Sequence, residues 1–128
     1  MPRKPLDLSV YLVTDTAMCA PLGVPETVRA AVAGGATLVQ LRDPDCSDEE
    51  FVDLGRQLTA VLAGTGVPLI VNDRVHLVAA IGADGAHVGQ SDLPADQARR
   101  LLGTDAYLGL SVTDEDQLLA ALALPPEV

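Results

Sequence analysis

The sequence is poor in aromatic and in basic residues. Only one Phe, two Tyr and no Trp occur among its 128 residues, so the apolar content is mainly Ala, Leu and Val. Such residues are typical of strands buried on both faces beneath packed helices. Lys and Arg number 8 against 18 Asp and Glu, and the formal net charge is −10. Because nucleic-acid binding needs clustered basic residues, we expect no nucleic-acid partner.

Long hydrophobic runs, paired cysteines and common catalytic motifs are also missing. Residues 57–72 form the longest stretch without a charge, but two glycines and a proline interrupt it, so we expect no membrane-spanning helix. Cys19 and Cys46 have no Cys-x-x-Cys spacing, and we expect reduced thiols and a cytoplasmic protein. There is no Walker loop, no Gly-x-Gly-x-x-Gly and no Gly-x-Ser-x-Gly motif. Nothing therefore predicts a covalent nucleophile.

Five short apolar runs alternate with segments of helical periodicity. The runs are residues 8–14, 36–42, 68–73, 85–90 and 106–112. The helical segments are residues 25–33, 48–62, 74–81, 95–102 and 114–122. Strands that alternate with helices predict βαβ units, a parallel sheet and an α/β fold.

The helical segments carry recognisable ends. Ser47 and Glu50 form a capping box before the second helix. Thr113 is expected to cap residues 114–122 in the same way. The periodicity of that last segment predicts three inward-facing leucines, Leu118, Leu119 and Leu122.

Polar residues follow every predicted strand. They are Asp15, Arg42, Asp43, Asn72, Asp73, Gln90, Asp92 and Ser111. Parallel α/β folds bind ligands at the C-terminal ends of their strands, an edge that we call the C-terminal rim. Ordinary helix N-capping is the simpler alternative. It does not explain Gln40 and Arg42, which lie two positions apart and so on one side of a strand.

Three of these residues suggest a charged ligand. The Arg42 guanidinium is suited to bidentate binding of phosphate, although a surface pair with Asp43 or Asp45 is the alternative. Asp73 and Asp92 follow neighbouring strands, and Mg²⁺ takes one or two carboxylates and completes its shell with water and substrate phosphates. Each Asp alone is compatible with an N-cap, but together with Arg42 they predict a site for Mg²⁺ and a diphosphate.

The two histidines have no partner at a metal-ligand spacing, so zinc is not expected. His87 lies within the fourth predicted strand, where a hydrogen-bonded core residue is the simpler interpretation. His76 lies in the third helical segment, and we expect a structural role.

Several segments resemble the thiamine phosphate synthase family, in order and from about residue 8 onwards. They are Tyr11-Leu12-Val13-Thr14-Asp15, Val39-Gln40-Leu41-Arg42-Asp43, Val71-Asn72-Asp73-Arg74-Val75, residues 83–94, and Gly109-Leu110-Ser111-Val112. The Asn-Asp-Arg and His-x-Gly-Gln-x-Asp-x-Pro segments are the more specific ones. The Gln-Leu-Arg segment is shared with related barrels.

The resemblance implies a TIM (β/α)8 barrel, of which residues 1–128, as a single incomplete domain, would supply the first five βα units. It implies Mg²⁺-dependent condensation of hydroxymethylpyrimidine diphosphate with a thiazole phosphate, giving thiamine phosphate and diphosphate. It also implies roles for individual residues. Gln40, Arg42, Asn72 and Ser111 would bind the diphosphate, Asp73 and Asp92 would hold Mg²⁺, and His87 would lie near the pyrimidine, with Arg42, Ser111 and His87 catalytic.

The sequence departs from the family in two respects. Pro44 stands where the family has a lysine, so one cationic contact is lost or supplied elsewhere. The last three βα units, which in the family carry the thiazole phosphate site, are absent from this sequence. A closed barrel takes about 200 to 250 residues. We therefore expect the chain alone to be unstable, to form a homo-oligomer through its open sheet edges, or to belong to a longer polypeptide, and to make no thiamine phosphate.

Two other functions stay open. A thiazole tautomerase-like enzyme shares the barrel, but a tautomerase has no diphosphate to hold, and the presence of both Asp73 and Asp92 favours the synthase. The other alternative is a non-catalytic fragment that binds phosphate ligands.

Overall fold

A parallel sheet of five strands in the order β1-β2-β3-β4-β5 forms the frame of the molecule. The computed structural model describes residues 4–128. The strands are β1 Tyr11–Val13, β2 Leu38–Leu41, β3 Leu69–Asn72, β4 Gly85–Val88 and β5 Tyr107–Leu110. The helices are α1 Val24–Ala33, α2 Asp48–Leu62, α3 Val78–Ile81, α4 Ala95–Leu102 and α5 Glu115–Leu122. The predicted α/β alternation and parallel order are confirmed, and the sheet is open, with β1 and β5 at its edges.

One face of the sheet packs against the helices. Its alternate residues form a single apolar core with residues of α1 to α4, and this core includes Val39, Leu41, Val71, Val88 and, from α2, Phe51. The strand residues in between point to the opposite face, because successive side chains of a strand alternate. Gln40, Ile70, Asn72 and His87 belong to that opposite face.

The second helix begins and ends as its sequence predicts. The Ser47 hydroxyl accepts a hydrogen bond from the Glu50 backbone N–H (3.1 Å), and the same hydroxyl donates to the Glu50 carboxylate (3.0 Å). Three carboxylates occupy the first turn, where the helix dipole favours negative charge. The helix buries Phe51, Leu58 and Leu62 against the sheet.

The predicted strands extend beyond the observed ones, at both ends in every case except the fourth, which begins correctly at Gly85. The first covers only Tyr11–Val13, and Arg42 and Asp73 lie just beyond the strands that were expected to contain them. The third helical segment is also different, because Val75–Leu77 forms a 3-10 turn before the single α-helical turn of α3. The backbone at Asp73 is in the left-handed region (φ 61°), which interrupts regular structure at this point.

The prediction for the last helix is wrong in two details. Asp114, not Thr113, is the N-cap, because the Asp114 carboxylate accepts from the Gln117 N–H (2.8 Å) while Thr113 donates to the Gln117 side chain. The leucines expected inside are exposed, with 47%, 57% and 73% of their surfaces accessible at Leu118, Leu119 and Leu122. The half-buried residues of α5 are instead Gln117 and Ala121.

None of the helices described between residues 4 and 128 is both long enough and apolar enough to span a membrane.

Candidate functional site

The end of β2 is held in place by the end of β1. Gln40 is only 5% exposed, and its side-chain amide donates a hydrogen bond to the Tyr11 hydroxyl (2.8 Å). Burial raises the pKa of Tyr11, although the bond from Gln40 opposes this shift. The buried Thr14 accepts from the Arg42 backbone N–H (3.1 Å), so a polar side chain directly after β1 fixes the point where Arg42 leaves the sheet.

Arg42 and Asp43 differ in their surroundings. The Arg42 side chain is exposed and forms no ion pair with any residue from 4 to 128, so the alternative pair with Asp43 or Asp45 is not formed. The Asp43 carboxylate accepts from the Thr16 hydroxyl (2.8 Å) and from the backbone N–H groups of Asp45 and Cys46. The bond from Thr16 is the first cause that holds the pKa of Asp43 below its ordinary value. The Arg42 guanidinium is thus available to a ligand, while the hydrogen bonds of Asp43 fix the conformation of the loop.

Asp73 projects from the end of β3 with a strained backbone. Its N–H donates to the His87 carbonyl (2.8 Å), and its φ of 61° is unusual for a residue other than Gly. Burial raises the pKa of Asp73, and the negative charge of Asp92 raises it further, against the opposing charges of Arg74 and His76. The two carboxylates are therefore near enough to repel each other.

Asp92 closes the turn after β4. One of its carboxylate oxygens, Oδ2, accepts from the Gly89 N–H (2.7 Å). The N-cap of α4 is Pro94 and that of the 3-10 turn is Arg74, so neither Asp73 nor Asp92 caps a helix. Helix capping, the simpler explanation of both residues, is wrong.

His87 and Ser111 are joined across β4 and β5. The His87 Nε2 and the Ser111 hydroxyl share a hydrogen bond of 2.7 Å, and the Gln90 amide donates to the Ser111 carbonyl (2.8 Å). Burial lowers the pKa of His87, which favours the neutral ring, while the charge of Asp92 acts in the opposite direction. Gly109 makes room for this pair, since a Cβ there would lie 2.2 Å from the His87 Nδ1.

Four polar groups at the C-terminal rim stand out because no residue from 4 to 128 hydrogen-bonds to them. They are the side chains of Arg42, Asn72 and Asp73 and the Oδ1 atom of Asp92. Asn72 and Asp73 are half-buried, and because no buried side-chain nitrogen or oxygen among residues 4–128 lacks a partner, their unpaired atoms are open to solvent or to a ligand. The set contains a cation, an amide and two repelling carboxylates, which together suit an anion and a hard cation.

The two carboxylates are compatible with Mg²⁺ as a ligand-bound ion. Within residues 4–128, no group of three or more His, Cys, Asp or Glu is gathered in a way that could hold a metal ion. Mg²⁺ needs fewer protein ligands, because it retains water and takes oxygens from substrate phosphates. A divalent cation bound by Asp73 and Asp92 would also offset the negative charge of Asp92, which, after burial, is the second cause that raises the pKa of Asp73.

The sequence pattern missed the residues that position this site. Tyr11, Thr14 and Gly109 carry no signal of their own, because each lies inside an apolar strand segment. The role of Thr14 is the easiest of the three to infer, since a polar residue at the end of an apolar run needs a hydrogen-bond partner when it is buried. The role of Gly109 depends on its pairing with His87 in the sheet, which the sequence alone does not reveal.

Comparison with known proteins gives consistent results. A family model described as thiamine monophosphate synthase matches residues 10–127. The thiamine-phosphate synthase of Azorhizobium caulinodans is 51% identical over 117 residues, which cover 91% of this chain and 55% of that protein. That of Vibrio parahaemolyticus is 48% identical over 116 residues, covering 91% and 56%. The solved structure of a thiamine phosphate pyrophosphorylase from Pyrococcus furiosus superposes with a TM-score of 0.81 at 30% identity, covering 90% of this chain and 55% of that one.

The chain thus spans about half the length of the curated relatives that it matches. Within that half, the family model covers almost all described residues, and the solved relative shares the fold. The chain belongs to the thiamine monophosphate synthase family.

Proposed function

We propose that this chain binds hydroxymethylpyrimidine diphosphate and Mg²⁺ at its C-terminal rim, as part of a thiamine phosphate synthase. The enzyme would join the pyrimidine to a thiazole phosphate, releasing diphosphate. The observation that carries the proposal is the set of rim groups without a protein partner: Arg42, Asn72, Asp73 and one oxygen of Asp92. An anionic ligand with a bound metal ion would satisfy all of them at once.

Each residue has a role in this scheme. Arg42 offers a planar guanidinium to phosphate oxygens, and Asn72 adds an amide donor beside it. Ser111, held by His87, would place its hydroxyl on the same diphosphate. Asp73 and Asp92 would hold Mg²⁺, which when bound neutralises charge on the leaving diphosphate. Gln40, which is buried and bonded to Tyr11, would reach the ligand only from the base of the site.

The chemistry needs no protein nucleophile. When the bond between the pyrimidine methylene and the diphosphate breaks, negative charge grows on the leaving group, and Arg42 would stabilise it. The neutral ring of His87, whose pKa burial lowers, lies beside the site without adding a competing charge. The thiazole nitrogen then attacks the methylene carbon, and positioning of the two substrates supplies much of the rate enhancement.

We further propose that the sheet is five strands of a closed (β/α)8 barrel. The parallel sequential order and the helices on one face support this architecture. The opposite face, with Gln40, Asn72 and His87, would then line the barrel interior, and the C-terminal rim would be its catalytic mouth.

Binding measured by isothermal titration calorimetry tests the function. We expect hydroxymethylpyrimidine diphosphate to bind in the presence of Mg²⁺, and binding to weaken strongly in EDTA and in Asp92→Asn. Asp53→Asn, which removes the same charge from the exposed surface of α2, is the matched control and should bind normally.

The same titration separates the alternatives. A tautomerase-like protein would bind the thiazole phosphate without Mg²⁺ and would not bind the pyrimidine diphosphate. Absence of binding by the folded wild-type chain to the pyrimidine diphosphate with Mg²⁺ would contradict the proposal.

A further inference from the structure

Arg74 belongs to the Asn-Asp-Arg segment but does not point to the ligand groups of the rim. Its guanidinium reaches under the loop between β2 and α2, where Nη2 donates to the carbonyls of Asp43 (3.0 Å) and Cys46 (2.6 Å). Nη1 donates to the Asp48 carboxylate (2.9 Å), and the group stacks on the Phe51 ring at 4.6 Å from its centroid. The Arg74 side chain is only 13% exposed.

The loop that Arg74 holds is the one that presents Arg42. The Asp43 carboxylate already ties the loop to itself through the N–H groups of Asp45 and Cys46. Arg74 adds bonds to the two carbonyls on either side of Pro44 and Asp45, so a side chain just beyond β3 fixes a segment that follows β2. A guanidinium has several donors in one plane, and an ammonium has no such fork.

Arg74 also follows the strained residue Asp73 directly. A residue other than Gly at φ 61° persists only where its surroundings hold it. The hydrogen bonds and the stacking of Arg74 supply such a hold one residue later, on a side chain anchored over the fully buried Phe51. One guanidinium thus links the backbone of Asp73 with the loop that carries Arg42.

We propose that Arg74 is a positioning residue that fixes the β2–α2 loop and the Asp73 backbone, so that Arg42 and Asp73 face the same diphosphate. Arg74 acts through these two residues and does not touch the ligand. The inference rests on the proposed function, because it assumes that Arg42 and Asp73 take part in binding a diphosphate.

Two measurements on the whole chain test it, with Arg74→Met, Arg74→Lys and the control Arg100→Met, which removes an exposed arginine from α4. The first is amide hydrogen exchange at Asp45 and Cys46 without ligand, and the second is the affinity for inorganic diphosphate with Mg²⁺. We expect faster loop exchange and about tenfold or greater loss of affinity in Arg74→Met, from the loss of charged hydrogen bonds. Arg74→Lys should recover part of both, and Arg100→Met should match the wild type.

If Arg74 contributed only to stability, Arg74→Met would behave like Val61→Ala, which weakens the packing of α2 away from the loop. Val61→Ala should lower the melting temperature without changing diphosphate affinity below that temperature. If Arg74→Met does not fold, Arg74→Lys carries the test. Wild-type exchange and affinity in a folded Arg74 variant would contradict the inference. A wild-type chain that binds no diphosphate would contradict the proposed function instead, while loop exchange would still report whether Arg74 holds the loop.

Discussion

The second and fifth βα units carry opposite sides of the candidate site, but they are packed very differently. All four residues of β2 are buried, and α2 covers them with Phe51, Leu58 and Leu62. Every residue of β5 is only half-buried, and α5 buries none of its residues. Both units show apolar periodicity in the sequence, so the pattern of residues does not reveal which unit is well packed.

The two sides of the site are therefore held in place in different ways. Arg42 is presented by a unit that is held by its apolar core and by hydrogen bonds of its loop to Arg74. Ser111 is presented by the loosely packed unit and depends on bonds from His87 and Gln90 of the β4 side. Regions with little apolar burial open at a lower free energy than the core. We therefore expect the β5 side of the site to open more readily in this chain than the β2 side.

The largest expected effect is on stability. Phe51→Ala removes a fully buried ring from the second unit and should lower the free energy of unfolding by about 3 to 5 kcal/mol. Leu119→Ala on the exposed face of α5 should change it by less than about 0.5 kcal/mol. Urea denaturation followed by circular dichroism measures both. Equal losses would remove the contrast between the two units.

The second prediction concerns the metal. With Mg²⁺ and diphosphate at roughly 100 times the dissociation constant, ligand binding should stabilise the wild type by about 2.7 kcal/mol. Asp73→Asn should lose this gain, and Asn tolerates the left-handed backbone at this position. A raised pKa means that ionised Asp73 costs stability above that pKa, so the variant should be more stable than the wild type at neutral pH in EDTA. Retention of the full ligand effect would exclude Asp73 as a ligand of the metal.

The third prediction tests the pair on the β5 side. Gly109→Ala places a Cβ against the His87 ring and should break its bond to Ser111, at a cost of about 1 kcal/mol. The ¹⁵N shifts of the His87 ring report the change. Gly34→Ala is the control, because Gly34 has a φ of −85° and a new Cβ there meets only ordinary contacts at 3.5 Å. Unchanged His87 shifts in Gly109→Ala would contradict the geometry.

The smallest effect is a pH dependence on the β1–β2 side. Burial raises the pKa of Tyr11 above its ordinary value of 10.0, so the folded protein holds this proton more tightly than the unfolded chain. The associated stability is fully present below pH 10.0 and is lost as pH rises through the folded pKa. Tyr11→Phe should flatten this alkaline loss in urea titrations at several pH values, whereas Tyr107→Phe should retain it. An equally steep loss in Tyr11→Phe would show that another group causes it.

The sequence predicted the alternation of strands and helices well, because burial on two faces leaves a clear apolar pattern. It also located Arg42, Asn72 and Asp73 at the C-terminal ends of strands, since they stand at the ends of apolar runs. It could not predict that the leucines of α5 point outward, because periodicity defines an apolar stripe but not what covers it. Nor could it assign Arg74, whose partners are backbone carbonyls of a distant loop and therefore leave no mark on residue type.

The most direct test of a metal-bound diphosphate at the C-terminal rim is amide hydrogen exchange of the wild-type chain with and without Mg²⁺ and diphosphate. We expect increased protection at both sides of the site, around Arg42 and around Ser111, with the larger gain on the β5 side because it is the less protected one without ligand. Adding diphosphate in EDTA should give little protection at either place. Protection confined to one unit, or equal protection without Mg²⁺, would contradict a metal-bound diphosphate that bridges the second and fifth units.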